Sequence, residues 1–232
     1  MYRFILFDLD GTLTDPKEGI TKSVQYALEK SGITPPPAEE LMCFIGPPLI
    51  NSFMEFYHMD KEGANRATAY YRERFRPVGI FENKIFDGIT DMLKALKDKG
   101  YYLALATSKP TEFALTILKY FKIYDFFDVV YGSEFNGIRE TKTQVMEDVL
   151  KDFYNIALRE GLAQDKAEFK KLCIMVGDRK HDIIGAKNCH IKSAGVSYGY
   201  ASEGELENEG ADYILDSVDE LKEFLLNNYM EI

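Results

Sequence analysis

The chain has no tryptophan, and only three histidines and three cysteines among its 232 residues. Cys43, Cys173 and Cys189 are odd in number, far apart and never in a CxxC pair, which disfavours both a disulfide framework and a zinc site. Cys173 sits inside an apolar run and reads as a small core hydrophobe. With His58, His181 and His190 as the imidazoles, no Ser/His/Asp order suggests itself. His58 reads as a surface residue, His190 as a solvated loop residue, and His181, close to Asp178, as solvated scaffold. GxxxxGK[ST], GxGxxG and HExxH are all missing. No apolar run approaches transmembrane length, and the first one is broken by Asp8 and Asp10, so neither a secretory leader nor a membrane partner is expected. A cytoplasmic location is. Positive charge is also in deficit: 28 Lys and Arg against 38 Asp and Glu give a net charge of −10. Such a surface repels phosphodiester backbones and argues against nucleic acid. A small phosphate ester stays open, because positive charge can be concentrated in one pocket.

What is present is an ordinary globular composition, 46% hydrophobic and 28% charged, with enough apolar residue for a sizeable core. The length fits one large domain or a domain with a smaller one inserted. The organising stretch is Phe4-Ile5-Leu6-Phe7-Asp8-Leu9-Asp10-Gly11-Thr12-Leu13-Thr14-Asp15. An apolar run ending in turn chemistry reads as a buried strand leaving its sheet. Residues at i and i+2 of an extended segment share a side, so Asp8 and Asp10 start as neighbours. Two carboxylates that close are costly without a cation or a shared proton. Gly11 permits a sharp turn or a close ligand. A hard divalent metal fits, Mg2+ being the usual choice where oxygens and phosphate meet; a strand end with solvated acids is the plain alternative.

After Asp15-Pro16 the period becomes helical, with Ile20, Val24, Ala27 and Leu28 on one face and a stop at Ser31-Gly32. Thr34–Pro37 is a rigid link. A helix-rich region then runs from about Ala38 to Arg76, broken at Gly46-Pro47-Pro48. From Asp87 onward strands and helices alternate. Helices are expected at Ile89–Lys99, Glu112–Phe121, from Thr141 through Gly161 to about Lys171, Asp182–Cys189 and Val218–Leu226. Strands are expected at Tyr101–Ala106, Val129–Tyr131, Leu172–Val176, Ala194–Ser197 and Tyr213–Leu215. Alternating units of this kind imply a parallel sheet with helices on both faces. The acidic Ser202–Glu209 stretch reads as a solvated helix face.

Three apolar runs end alike: Phe4–Phe7 at Asp8, Leu103–Ala106 at Thr107-Ser108, and Cys173–Val176 at Gly177-Asp178. Ligands of open α/β sheets bind outside the carboxyl ends of the strands. A shared site explains three such endings better than three separate turns. Positive charge and N–H donors would come from Lys142, after Thr141 at a helix start, and from the Thr107-Ser108-Lys109-Pro110 turn opening another helix.

In this arrangement the sequence resembles the haloacid dehalogenase superfamily, over roughly residues 2–215. The resemblance rests on Asp8-Leu9-Asp10-Gly11-Thr12-Leu13, Thr107-Ser108-Lys109, Lys142 and Gly177-Asp178-Arg179-Lys180-His181-Asp182. Met175–Ile183 and Gly195–Tyr200 are most similar to its phosphoglycolate phosphatase-like branch. The resemblance implies an α/β fold: a doubly wound, Rossmann-like parallel sheet core (residues 1–15 and 82–232) carrying an inserted all-α cap of the C1 type (residues 16–81). It implies Asp8 as a nucleophile forming an aspartyl-phosphate, and Asp10 as the proton donor and then base. Mg2+ would be held by Asp8, Asp178 and the backbone carbonyl of Asp10, with Asp182 supporting the shell directly or through water. Thr107 and Lys142 would bind phosphoryl oxygens. Gly11, Thr12, Ser108 and Lys109 are further substrate-side candidates, Lys109 with a solvated helix-start role as the alternative. Asp15 is assigned to capping the insert's first helix. Gly46, in the Gly46-Pro47-Pro48 break, is the cap's substrate-facing candidate. Arg72, Arg74 and Arg76 read as a solvated face more readily than as carboxylate binders. Departures are the missing proline after Lys142, a longer segment before Asp178, and Ser108 in place of asparagine. The expected activity is Mg2+-dependent hydrolysis of a small phosphomonoester by a monomer or weak homodimer, with 2-phosphoglycolate ahead of nucleoside monophosphates (a 5'-nucleotidase). A sugar-phosphate mutase, disfavoured by Thr12, and a non-catalytic phosphate-binding scaffold are the competing readings.

Overall fold

A computed structural model describes residues 1–135 and 137–230. Among these the chain runs β1 (Phe4–Phe7), β2 (Thr14–Asp15), α1 (Lys17–Lys30), α2 (Leu49–Tyr57), α3 (Lys61–Phe75) and β3 (Lys84–Ile85). It continues with α4 (Ile89–Lys99), β4 (Tyr102–Pro110), α5 (Thr111–Tyr120), β5 (Val129–Ser133), α6 (Lys142–Arg159) and α7 (Lys166–Lys171). The remainder is β6 (Cys173–Gly177), α8 (Lys180–Cys189), β7 (Lys192–Val196), α9 (Glu205–Asn208), β8 (Tyr213–Leu215) and α10 (Val218–Asn227). Two units result: Met1–Leu13 with the chain from Ile85 onward, and Thr14–Lys84.

The first unit is built on a parallel sheet in the order β5-β4-β1-β6-β7-β8. All four residues of β1 are apolar and buried, as a central strand covered on both faces requires. Phe4 and Leu6, with Ala104, Ala106, Cys173 and Met175, pack on Val145, Met146, Val149 and Phe153 of α6 and on Ala186 of α8. The alternate set Ile5, Phe7, Leu103, Leu105, Ile174 and Val176 is equally buried, so the sheet is doubly wound. Each such side chain contributes about 1.5–3 kcal/mol by leaving water. Phe7 is in register with Leu105 of β4 and Val176 of β6. Strand order reverses at β1: the chain adds β4 and β5 on one side, then crosses to β6 on the other. The residues following these three strands therefore emerge at one edge, where ligands of such sheets bind.

The second unit is helical. Helix α1 buries Ile20, Val24, Ala27 and Leu28. Residues Ala38–Phe44 form a 3-10 helix ahead of α2. Asp60 caps α3 by accepting from Gly63 N–H at 2.7 Å. Asp15 accepts from Lys17 N–H at 3.0 Å, in keeping with a role at the start of α1. Gly46 lies in this unit, at φ +103° ahead of α2. Arg74 corrects the solvated-face expectation: its Nη1 and Nη2 grip Glu82 at 2.7 and 3.0 Å, a bidentate staple within this unit. Arg72 is half-buried and Arg76 exposed.

Three other expectations are corrected. The helix expected from Thr141 to Lys171 is two helices. Gly161, at φ +68°, ends the first turn of chain after α6, and Leu162 N–H returns to the Ala157 carbonyl at 2.8 Å. Asp165 then caps α7 through Glu168 N–H at 2.8 Å. Thr107–Pro110 is not a turn but the end of β4, whose pairing with β5 shifts register between Ala106 and Pro110. In the acidic stretch the expectation holds only in part: Ser202, Glu203, Glu207 and Asn208 are exposed, but Leu206 is buried and the Glu205 side chain is turned inward. Cys173 is buried in the core, while His58 and His190 are exposed. No helix of the described residues is long and apolar enough to cross a membrane.

Candidate active site

The site forms where β1, β4 and β6 end. Asp8 follows β1 and stays in register long enough for its N–H to reach the Val176 carbonyl at 2.9 Å. The chain then turns, with Leu13 N–H bonded to the Leu9 carbonyl at 2.9 Å. Gly11 sits in that turn at φ +84°, and a Cβ there would fall 2.1 Å from Asp178 Oδ2. Asp178 and Asp182, on either side of the start of α8, are fully buried. Oxygens of Asp8, Asp178 and Asp182 all lie within 4.8 Å of one another.

Two lysines enter this cluster. A reciprocal capping box sets the start of α6: Gln144 N–H donates to Thr141 Oγ1 at 3.3 Å, and Thr141 N–H to Gln144 Oε1 at 3.1 Å. That cap fixes Lys142 as the first helical residue. Its Nζ lies 2.9 Å from Asp8 Oδ1 and 2.7 Å from Asp182 Oδ1, and donates to the Ala106 carbonyl at 2.9 Å. The Asp182 Oδ1 contact is an ion pair by distance, without the alignment of a hydrogen bond. Lys109 is no solvated helix-start residue: its buried Nζ lies 2.7 Å from Asp10 Oδ2. Asp10 Oδ1 is buried with no hydrogen-bond partner among the described residues. The two acids of the opening motif thus take different partners.

Asp178 is held from two directions. Thr12 Oγ1 donates to its Oδ1 at 3.2 Å, and Tyr200 N–H donates to its Oδ2 at 2.8 Å. Asp182 Oδ2 accepts from Arg179 N–H at 3.1 Å. Tyr198 closes the base of the turn by donating to the Thr12 carbonyl at 3.0 Å. The loop of Tyr198, Gly199 and Tyr200 had no site role in the sequence reading, which used Gly195–Tyr200 only for the branch resemblance. A Cβ on Gly199 would lie 2.3 Å from Asp178 Cβ and 2.5 Å from the Gly11 carbonyl. Gly199→Ala is therefore expected to destabilise the fold by about 1–3 kcal/mol through overpacking, read as a lowered melting temperature. An unchanged melting temperature would show that the loop can move aside.

Counted fully ionised, Asp8, Asp10, Asp178 and Asp182 bring four negative charges and Lys109 and Lys142 two positive ones, a formal excess of two negative charges in a buried cluster. Burial, with Asp182 and Asp8 adding to it, pushes Asp178 well above the usual carboxylate range. Burial likewise raises Asp182 to about 6, against the pull of Lys142. Asp10 is raised by burial, with Lys109 opposing and Asp8 reinforcing. Burial alone would lower Lys142, but Asp182 and Asp8 outweigh it and hold the ammonium above its ordinary value. One divalent cation among Asp8, Asp178 and Asp182 would cancel the excess, and an all-oxygen donor set suits a hard ion.

Thr107 is buried and stands next to Ala106, whose carbonyl binds Lys142; its Oγ1 accepts from Lys109 N–H at 3.2 Å. Ser108 uses its carbonyl to accept from Ser133 Oγ at 2.8 Å, a tie within the sheet. His181 is partly buried and lowered by burial and by Arg179 and Lys180. The structure thus brings together Asp8, Asp10, Gly11, Thr12, Lys109, Lys142, Asp178 and Asp182, with Thr107 alongside, all in one unit.

Comparison with known proteins agrees with the fold. The family model for haloacid dehalogenase-like hydrolases matches residues 5–196. A 5'-nucleotidase of Pseudomonas aeruginosa is 46% identical over 205 residues, covering 88% of this chain and 87% of its own. The crystal structure of a predicted phosphatase from Clostridium acetobutylicum is 46% identical and superimposes with a TM-score of 0.87, covering 98% and 99% of the two chains. The tyrosine-protein kinase PtkA of Mycobacterium tuberculosis is 33% identical over 225 residues, 96% of this chain and 72% of its own. The chain belongs to the haloacid dehalogenase-like hydrolases.

Proposed function

We propose that this chain is a Mg2+-dependent phosphatase that hydrolyses small phosphomonoesters through a phosphoryl-enzyme on Asp8. The observation that carries the reading is the buried acidic cluster whose two excess negative charges match one divalent ion. Asp8, Asp178 and Asp182 would hold the ion, with the Asp10 carbonyl as a further oxygen. Bound there, it would offset the repulsion between an anionic nucleophile and an anionic phosphate.

The chain's own groups would do the rest. A carboxylate oxygen of Asp8 forms a bond to phosphorus as the ester oxygen–phosphorus bond breaks. Asp10, whose burial favours its protonated form, gives a proton to the departing alkoxide. It then takes a proton from the water that attacks the phosphoryl-enzyme, and inorganic phosphate leaves while Asp8 is restored. Lys109 orients Asp10 by holding Oδ2 and leaving Oδ1 free of protein partners. Lys142 lowers the electrostatic cost of bringing phosphate to Asp8, and the Thr107 hydroxyl is a donor for a phosphoryl oxygen.

Among substrates, nucleoside 5'-monophosphates move ahead of 2-phosphoglycolate, because the relative at 46% identity is named a 5'-nucleotidase. A panel of nucleoside monophosphates, 2-phosphoglycolate, sugar phosphates and pyrophosphate, assayed with Mg2+ and with EDTA, tests both levels. Phosphate release is expected to vanish with EDTA, and at least one nucleoside monophosphate should exceed 2-phosphoglycolate in kcat/KM by about tenfold or more. Release unaffected by EDTA sinks the metal role. Isomerisation of a sugar phosphate without release sinks the phosphatase.

A further inference from the structure

The carboxylate of Glu205 is saturated by groups that belong to two different loops. Its Oε1 accepts from Arg179 Nε at 2.9 Å and from Lys180 N–H at 2.8 Å. Its Oε2 accepts from Arg179 Nη2 at 3.4 Å and from Ser202 N–H at 3.2 Å. Both partners of the ion pair are about nine-tenths buried at the side chain. One loop follows β6 and carries Asp178 and Arg179 up to Lys180, the first residue of α8; the other follows β7 and carries Gly199, Tyr200 and Ser202. These are the two loops that fix the metal-site carboxylates: Arg179 N–H donates to Asp182, and Tyr200 N–H donates to Asp178. With no room for a Cβ between Gly199 and Asp178, a shift of either loop moves Asp178.

We infer that Glu205 is a positioning residue for divalent-cation binding, locking the β6 and β7 loops together so that Asp178 and Asp182 keep their spacing before the ion arrives. It touches neither ion nor substrate. The inference rests on the phosphatase reading only in taking the acidic cluster as the Mg2+ site. Partners of this kind typically govern ligand orientation, and losing one costs about 10–100-fold in metal affinity. A purely structural ion pair would instead lower stability and leave affinity alone.

The test is Mg2+ titration by calorimetry on Glu205→Gln, with Glu207→Gln, an exposed neighbour on α9, as control. Metal-free melting temperature and the Mg2+ dependence of phosphate release are measured alongside. E205Q is expected to bind Mg2+ at least about tenfold more weakly. At saturating Mg2+ its kcat should return to within about twofold of wild type, and E207Q should match wild type throughout. Arg179→Lys keeps the charge but loses the planar fork. It is expected to weaken Mg2+ binding in the same direction and serves in place of E205Q if that variant does not fold. A Mg2+ affinity within about twofold of wild type in the folded variant, whatever its melting temperature, overturns the inference. Wild-type protein that binds no Mg2+ at this cluster overturns the phosphatase reading and the inference with it, an outcome visible before any variant is made.

Discussion

Replacing Asp8 with asparagine is expected to abolish phosphate release while leaving the chain folded. The amide is nearly the same size as the carboxylate but is a poor nucleophile, and it supplies no negative oxygen to a cation. Loss of a nucleophile that acts as a unit with its partners is on the order of 10⁴–10⁶-fold in kcat. The fold has reason to tolerate it. Asp8 sits in a cluster with two excess negative charges, and its removal relieves repulsion on Asp178 and Asp182, which its charge helps to raise. Lys142 keeps Asp182 and the Ala106 carbonyl. In EDTA, D8N should therefore melt no lower than wild type, and Mg2+ should stabilise it less. Turnover within tenfold of wild type would remove Asp8 from the nucleophilic role.

How far the sequence foretold this depends on whether the controlling contact is local. Helix α4 was legible to the residue: an amphipathic run stops at Gly100, which takes φ +96°. Strand β1 was equally plain, because an all-apolar run bounded by acids is what a covered central strand looks like. Asp8 and Asp178 were readable as neighbours because the strands before them are central in the sheet. The failures are non-local or single-residue effects. Thr107–Pro110 has turn composition, yet pairing with β5 holds it extended past a register shift. The period of α6 continues formally past Gly161, and one left-handed residue with a new cap at Asp165 overrides it. Composition made residues 202–209 a solvated face, which holds for Ser202, Glu203, Glu207 and Asn208 but not for Glu205. Glu205 is buried because Arg179 lies 26 positions upstream, which no local window contains. Lys109 reads equally as helper or solvated residue from its helix-start position, because its ion pair with Asp10 spans distant parts of the sequence.

The largest expected effect on stability comes from Lys142→Met, and its sign is opposite to that of D8N. Methionine fills much of the lysine stem's volume, so packing changes little; the loss is the ammonium. Asp8 and Asp182 then face each other without the cation that lay 2.9 and 2.7 Å away, and the Ala106 carbonyl loses a buried donor. Removing one partner of a buried ion pair costs about 3–5 kcal/mol, because the remaining charge keeps its desolvation penalty. For a chain of this size that is a fall on the order of 10 °C in melting temperature, measured in EDTA. Adding Mg2+ separates this account from simple misfolding. The variant's cluster carries three excess negative charges instead of two, so a cation that binds the folded state should recover more of the melting temperature in K142M than in wild type. Phosphate release should stay low even then, since the charge that brings phosphate to Asp8 is gone. An equal or smaller Mg2+ shift in K142M would show that Lys142 and the cation do not share the carboxylates, and the charge count behind the metal site would be wrong.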